Sequence, residues 1–589
     1  MNKINKVLTT IFKNNYIMLV FFLIISALLA SIFMYEVISD FNNYHYYVAW
    51  AFLNNRTFVD LAIGLENSYH NPLIELPTYF ISTKFNDYPI VLQLYHSIFW
   101  GILVFVFYKL SSLIFDIGTI KGKIQIALSV IFTMTAFALM TQLGTSSNEV
   151  PAILCIMIGF YMVFKELFYN NKDRKNIYFL SALIMGMGLG LKFTVITYCV
   201  AIGLTLMIFY KKFNNPIKII SLFALGGFIG FCITDGFWAY QLWKEFDNPL
   251  FPYLNNIFKS PYYSDKSLTY NTYFEKDFVD YLTFPFQASF QGEKKVTSEA
   301  EMLDIRLALG YTLFLFVIIS SLLKNKLIKN IKNNQKEVFL IVFACISYAI
   351  WLYMFSIIRY AIPIEMIICL LSVKFFTDMK INSKISKIIY SSFSIILIFM
   401  MFSGLPYKSW GTMKDAEKII KFEKVNLPEN SLIIGISGNT GLAATQIINN
   451  NPSAKLANEV AEFIIENKKF QEKIEQYKKE SSYIAYLTVL KTPLKEFDYY
   501  TPISQVKSFN TTNGKEDDFE YLQFIIKDRL GKENFYCRSL NKSFYNVFLC
   551  IDKKDKETIF PEYKPENTSK RFRQSIMKRK PIAIFPSAN

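Results

Sequence analysis

"IMLVFFLIISALLASIFMYEVI", residues 17–38, runs directly into "SDFNNYHYYVAW", residues 39–50. The first stretch is apolar over the length that a helix needs to cross a bilayer, about 20 residues. The second places an aspartate, then asparagines, tyrosines and a histidine, where such a helix would leave the membrane. Apolar runs recur up to about residue 404, and beyond it the chain becomes mixed and polar. They fall near residues 17–38, 90–115, 124–143, 150–168, 177–191, 193–210, 216–236, 307–323, 337–357, 361–376 and 388–404, about eleven spans by a hydropathy window. Lys192 marks a short turn between two of them. If that pair is one kinked span, the count is ten and everything downstream inverts.

The distribution of positive charge arbitrates. Lys3, Lys6, Lys13, Lys121, Lys123, Lys172, Arg174, Lys175, Lys211, Lys212, Lys324, Lys326, Lys329, Lys332, Lys336, Lys380, Lys384 and Lys387 all fall on one side if there are eleven spans. Short loops rich in Lys and Arg stay in the cytoplasm. The opposite loops are acidic or mixed, with Asp40, Asp60, Glu66, Glu75 and Asp87 between the first two spans. The expected architecture is therefore an α-helical polytopic membrane protein of about eleven transmembrane helices, N-terminus inside and C-terminus outside. Residues 1–404 form the membrane domain, with outer loops 39–89 and 236–306, and residues 405–589 form an extracytoplasmic α/β domain. The first apolar run reads as an anchor, since no cleavage site follows it.

The composition of the 589-residue chain fits this: 52% hydrophobic, 17% aromatic and 19% charged, against about 25% charged in soluble domains. The net charge of +16 does not signal nucleic-acid binding. Much of the excess sits in loops that set orientation and meet anionic lipid, and no run matches a nucleic-acid motif. The basic cluster at residues 570–580 reads as a solvated or lipid-touching tail. Cys155, Cys199, Cys232, Cys345 and Cys369 lie in spans as small apolar packers. Cys537 and Cys550 flank "RSLNKSFYNVFL", two short strands around a turn, and are the disulfide candidate in an oxidising compartment. No Cys/His cluster suggests zinc.

In the tail, "DAEKIIKFEKV" (415–425) has helical periodicity, while "SLIIGIS" (431–437) and "SSYIAYLTVL" (481–490) read as strands. "GNTGLAATQII" (438–448) reads as a glycine turn opening a helix. It lacks the glycine spacing or lysine of a phosphate loop, so a packed accessory domain is expected.

Candidate chemistry lies on the outer side. An interfacial belt explains Tyr46, Tyr47 and Trp50. It does not explain Asp40, since a carboxylate at the mouth of a helix bundle is costly unless solvated or used. Asn43, Tyr44 and His45 either shape a pocket beside it or line its rim, and His70 and Asn71 are further pocket candidates in the same loop. Arg306 and Arg359 enter apolar runs and Lys192 breaks one. A cation at that depth needs an anionic partner, either a carboxylate such as Glu365 or a ligand phosphate. Asn148 and Glu149, in "GTSSNEV", share that surface as rim or acceptor contacts. In the second outer loop, Pro249, Pro252 and Pro261 prevent one continuous helix, and its aromatics suit a membrane-surface segment. Gly186, Gly188, Gly190, Gly226, Gly227 and Gly230 read as close helix packing.

In layout, and in the phrases "DFNNYHYYVAWAF", "HNPLIELPTYF", "GTSSNEV", "GLKFT", "DNPLFPYLNNIFKSP" and "RYAIPIE", the chain resembles the GT-C superfamily of membrane glycosyltransferases. The resemblance covers much of the membrane half and little of the tail. It implies a bacterial cytoplasmic-membrane enzyme, working on the outer face, that inverts as it moves a sugar from a polyprenyl-phosphate-linked donor to a glycan, lipid or protein acceptor. It implies Asp40 as the general base or acceptor-positioning residue. Arg359, Arg306 and Lys192 would hold the donor phosphate, and Tyr44, His45, His70, Asn71 and Glu149 the acceptor. Asp40-Phe41-Asn42 is not the DxD pattern of a bound divalent ion, so no metal or other cofactor is favoured. An O-antigen polymerase or ligase type of enzyme, and a lipid-linked substrate transporter or flippase, are the competing readings.

Overall fold

The computed structural model describes residues 2–33, 40–170, 174–265, 277–291, 296–298, 302–323, 333–378, single positions within 388–399, nearly all of 418–490, 535–540 and 546–560. Among them, six helices are long and apolar enough to cross a membrane: Asn15–Ile32, Pro89–Ile114, Glu149–Tyr169, Pro216–Phe246, Gln335–Met354 and Ile358–Asp378. Lys175–Leu191, Phe193–Ile208 and Arg306–Ser320 are shorter apolar helices. The end of the expected span at 17–38, most of 388–404, the lysines between 324 and 332, those between 380 and 387, and the cluster at 570–580 lie outside the described residues.

Two expected spans differ in form. The span read at 216–236 continues to Phe246, so its last turns carry Trp238, Leu242 and Phe246 into a core shared with the tail. The span read at 124–143 is broken: Ile120–Met134 ends, and a short helix, Phe137–Met140, follows. Asp304 and Arg306 fill this break. Asp304 accepts from the Phe137 amide at 2.9 Å, while the Arg306 guanidinium donates to Phe132 O and Thr135 Oγ1 and pairs with Asp304. The ion pair thus replaces backbone partners that the interrupted helix lacks. The glycine reading holds: a Cβ on Gly186 would lie 2.0 Å from Gly227 O, and one on Gly230 would lie 2.0 Å from Leu183 O. Helices Lys175–Leu191 and Pro216–Phe246 therefore meet backbone to backbone.

A small hairpin of β1 (Phe290–Gln291) and β2 (Met302–Leu303) precedes the helix at Arg306. The tail holds a five-stranded sheet of β3 (Ser431–Gly435), β4 (Lys455–Asn458), β5 (Tyr483–Leu490), β6 (Phe535–Ser539) and β7 (Asn546–Asp552), in the order β4-β3-β5-β7-β6. β3 runs parallel to β4 and β5, and β7 is antiparallel to β5 and β6. Helices Gly441–Ile448 and Lys468–Glu480 supply the crossovers. Cys537 and Cys550 oppose each other across β6 and β7 and are disulfide-bonded. The helix expected over 415–425 does not form in its described part. That stretch is pinned in non-helical form by Glu423 N donating to Leu540 O and by the Asn86 side chain at Ile420.

The two faces of this sheet explain the aromatic residues at 41–50 and 238–251. Alternation along the strands sends Ile433, Ala485, Leu487 and Leu549 to one side, with Phe41, Tyr44, Tyr47 and Trp50. It sends Leu432, Ile434, Tyr486 and Phe548 to the other, with Trp238, Phe246 and Phe251. Tyr46, Tyr47 and Trp50 are therefore not interface aromatics. They are at most 3% exposed, and Trp50 Nε1 donates to Asn449 Oδ1 across the junction. Leu61 adds itself beside β4: Leu61 N donates to Leu456 O, and Asn458 N to Leu61 O, both at 2.9 Å. At Gly441 a Cβ would lie 1.9 Å from Asn43 O, so the helix abuts the first outer loop only because it starts with glycine. Gly441→Val is expected to push that helix off the loop and lower the thermal midpoint of the detergent-solubilised chain by several degrees, through roughly 1–3 kcal/mol of overpacking. Gly203→Ala, whose Cβ would meet nothing within 4 Å, is the silent control in the same melting experiment.

Candidate functional site

Four interruptions in helical structure converge on one cavity. The first follows Asp40, where Phe41–His45 forms a π-turn before the helix Tyr46–Leu53; Tyr46 N–H reaches back to Phe41 O. Such i→i+5 turns occur often at functional sites. Asp40 and His45, at the two ends of this turn, both line the cavity. The second is the loop before helix Leu76–Lys84. There Asn71 Oδ1 accepts from Leu73 N, while its amide donates to Gly190 O, Thr234 O and Asp235 Oδ1 at 2.9, 2.9 and 3.0 Å. This ties the loop to helices Lys175–Leu191 and Pro216–Phe246 and leaves Glu75 at the start of the next helix. The third is the turn before Glu149, where Asn148 takes φ +62°, a conformation that asparagine tolerates better than most residues. The fourth comprises the junction at Lys192 and the short 3-10 turn Ile358–Ala361 carrying Arg359.

The cavity holds about 170 Å³, and Asp40, Tyr44, His45, His70, Lys192 and Arg359 are among its lining residues. Its charges alternate. Lys192 Nζ donates to Glu149 Oε1 at 2.8 Å and to Ser147 O at 2.5 Å. Arg359 Nε lies 3.2 Å from the same Glu149 oxygen, and its Nη2 lies 4.0 Å from Asp40 Oδ2. Glu149 thus gathers both cations from behind, while Asp40 faces Arg359 across the opening, 28% exposed.

A second group sits beside them. His45 Nδ1 lies 2.7 Å from Glu75 Oε1, and Asn148 Nδ2 donates to Glu75 Oε2 at 2.8 Å. His45 is 1% exposed, and its Nε2 has no hydrogen-bond partner among the described residues. Burial pulls the imidazole down, but the charge and hydrogen bond of Glu75 outweigh it, so the net shift is upward. Burial, with Asp40 next in effect, raises the Tyr44 phenol well above its usual range. Burial first, then Lys192 and His45, pushes His70 down to about 3, and its Nε2 meets Tyr253 Oη at 3.3 Å.

Most of the residues read from the sequence thus meet at one place: Asp40, Tyr44, His45, His70, Asn71, Lys192 and Arg359 all line the cavity. Arg306 does not belong with them. It is 1% exposed and committed to Asp304 and the broken helix, so no phosphate can reach it. Glu149 supports the cations rather than lining the pocket, and Asn71 spends its amide on the scaffold. Glu365, offered as a partner for the cations, lies by Arg306 and Asp304 instead. The sequence reading missed the role of Glu75, which it counted only among the acids that set topology. The signal available was a lone acid closing "HNPLIE" ahead of a helix, four residues after a capping asparagine. Among the described residues no group of three or more His, Cys, Asp or Glu is arranged to hold a metal ion. No protein-family model matches the chain, and no curated protein matches it.

The state of His70 has a measurable consequence. An unfolded histidine binds its proton near pH 6.5, and this one only at about pH 3. Between those values the unfolded state holds the extra proton, so this residue's contribution is full above about pH 6.5 and is lost as the pH falls. The gap in melting temperature between wild type and His70→Gln is expected to narrow from about pH 7.5 to about pH 5. Melts of the purified chain at both values check it.

Proposed function

We propose that the chain is a membrane glycosyltransferase of the GT-C kind, transferring a sugar from a polyprenyl-phosphate-linked donor to an acceptor at the outer face of a bacterial cytoplasmic membrane. In this reading eleven helices cross the bilayer, with the N-terminus inside and the cavity and tail outside. The observation that carries it is the convergence of one carboxylate, Asp40, and two cations, Lys192 and Arg359, on a single cavity where apolar helices break. Its volume equals that of five or six water molecules at about 30 Å³ each, of the order of one sugar ring.

The chemistry follows from the placement. An attacking hydroxyl must lose its proton as its oxygen closes on the anomeric carbon, and Asp40 is the exposed carboxylate that can take it. The departing lipid phosphate carries its own negative charge. Lys192 and Arg359, fixed by Glu149, would meet it with cations already oriented, which is how preorganised charge lowers a barrier. Asp40 also faces Arg359, so an arriving phosphate would compete for that guanidinium and release the carboxylate.

Two substitutions test the reading. Asp40→Asn is expected to lower transfer by about 10²- to 10⁴-fold while the melting temperature stays within a few degrees. Cells complemented with that variant should lose the same surface glycan, by mass spectrometry, as cells lacking the chain. Arg359→Ala is expected to raise the KM for the lipid donor about 10- to 100-fold, the worth of one or two charge-assisted hydrogen bonds. Unchanged surface glycans on loss of the chain would overturn the proposal, and full activity of Asp40→Asn would remove Asp40 as the base.

A further inference from the structure

The carboxylate–imidazole pair beside Asp40 has no task in the reaction as written. Glu75 accepts from one ring nitrogen of His45, which fixes the tautomer and leaves the other nitrogen as a lone pair. That atom, Nε2, is buried on the wall of the cavity and lacks a hydrogen-bond partner among the described residues. A buried polar atom without a partner is costly, and here it belongs to a residue that lines the cavity. A carboxylate orienting an imidazole whose far nitrogen faces the reacting group is the arrangement of a general base.

We propose that His45 is a second catalytic residue, its Nε2 receiving the proton that Asp40 takes from the acceptor hydroxyl. The proposal rests on the transferase reading. In the full step the acceptor oxygen bonds to the anomeric carbon. The bond from that carbon to the phosphate oxygen breaks, and its electron pair leaves with the lipid phosphate. The hydroxyl proton goes to Asp40, then to His45 Nε2, and from there to water as products depart. The π-turn supplies the placement, since it carries Asp40 and His45 from its two ends into one cavity. Burial lowers the imidazole, but the charge and hydrogen bond of Glu75 hold it above its ordinary range, which favours keeping a proton it receives.

The charged and titratable groups facing His45 come from several elements. They are Glu75 ahead of helix Leu76–Lys84, Lys192 at its junction, Asp40 on its own turn, and the histidines His70 and His96. The Tyr44 ring packs 4.2 Å away, between ring centroids. Glu75 dominates the upward pull on the imidazole, so its removal has a signed effect.

The test uses the full chain in lipid nanodiscs, a panel of polyprenyl-phosphate-linked hexoses and pentoses with lysate glycan as acceptor, and release of polyprenyl phosphate as the readout. Wild type is expected to lose kcat as the pH falls through an acid limb above about 6.5, because His45 must be neutral to receive the proton. His45→Gln is expected to lose about 10²-fold or more in kcat together with that limb, with KM for the donor little changed. Glu75→Gln is expected to move the limb to lower pH. A His45→Gln enzyme with wild-type rate and limb overturns the relay alone. If His45→Gln does not fold, a limb unmoved in Glu75→Gln overturns it. No release from any donor by wild type overturns the transferase reading, and the relay with it.

Discussion

A charge inside a membrane protein must be matched before it can be used, and Glu149 is where this chain does so. Its carboxylate draws Lys192 from one helix junction and Arg359 from another to a single point. Unpaired, either cation at that depth would cost several kcal/mol. Paired through one shared acid, two positive charges carry only one negative charge between them and remain attractive to a second anion. Asp40 stands opposite as the provisional holder of that place. The helix breaks at residues 148, 192 and 358 are therefore features of one construction: charged side chains need ends of helices, and the ends are brought together.

The same economy shapes the outer half. The sheet buries both faces, and its parallel part, β4-β3-β5, carries one crossover helix on each. The remaining cover comes from the first outer loop on one side and the extended helix Pro216–Phe246 on the other. In an open parallel sheet the crevice beyond the carboxyl ends of the strands is the usual ligand site. Here Asn43 O sits against Gly441, and Thr440 Oγ1 donates to Ile63 O, so the loop bearing Asp40 and His45 occupies that ground. The tail thus packs directly on the loop that holds the π-turn.

How far this could be read from the sequence varies with the kind of force involved. Long apolar runs announce themselves, because length and hydropathy are local properties; among the described residues, seven of the expected helical segments appear with bounds close to those read. The strands at 431 and 483 and the cysteine-bridged hairpin were legible for the same reason. Arg306 was not distinguishable from Arg359 or Lys192: all three are cations at apolar edges, and only the fold reveals that Arg306 closes a broken helix. Tyr46, Tyr47 and Trp50 have the composition of a membrane belt, and their burial depends on a sheet nearly four hundred residues away. Glu75 looked like any loop acid until the chain folded it onto His45.

The dependence of the sheet on the outer loops also sets an order of assembly. The ribosome delivers residues 41–63 and 238–251 well before the strand at 431, so the two covering surfaces can be in place when the sheet arrives. Each strand then pairs on a prepared apolar support, and the edge at β4 meets Leu61 as it forms. A C-terminal fragment made without the membrane half would present both sheet faces partly bare, a surface inviting aggregation. Synthesis from the N-terminus thus acts as the chaperone of the tail.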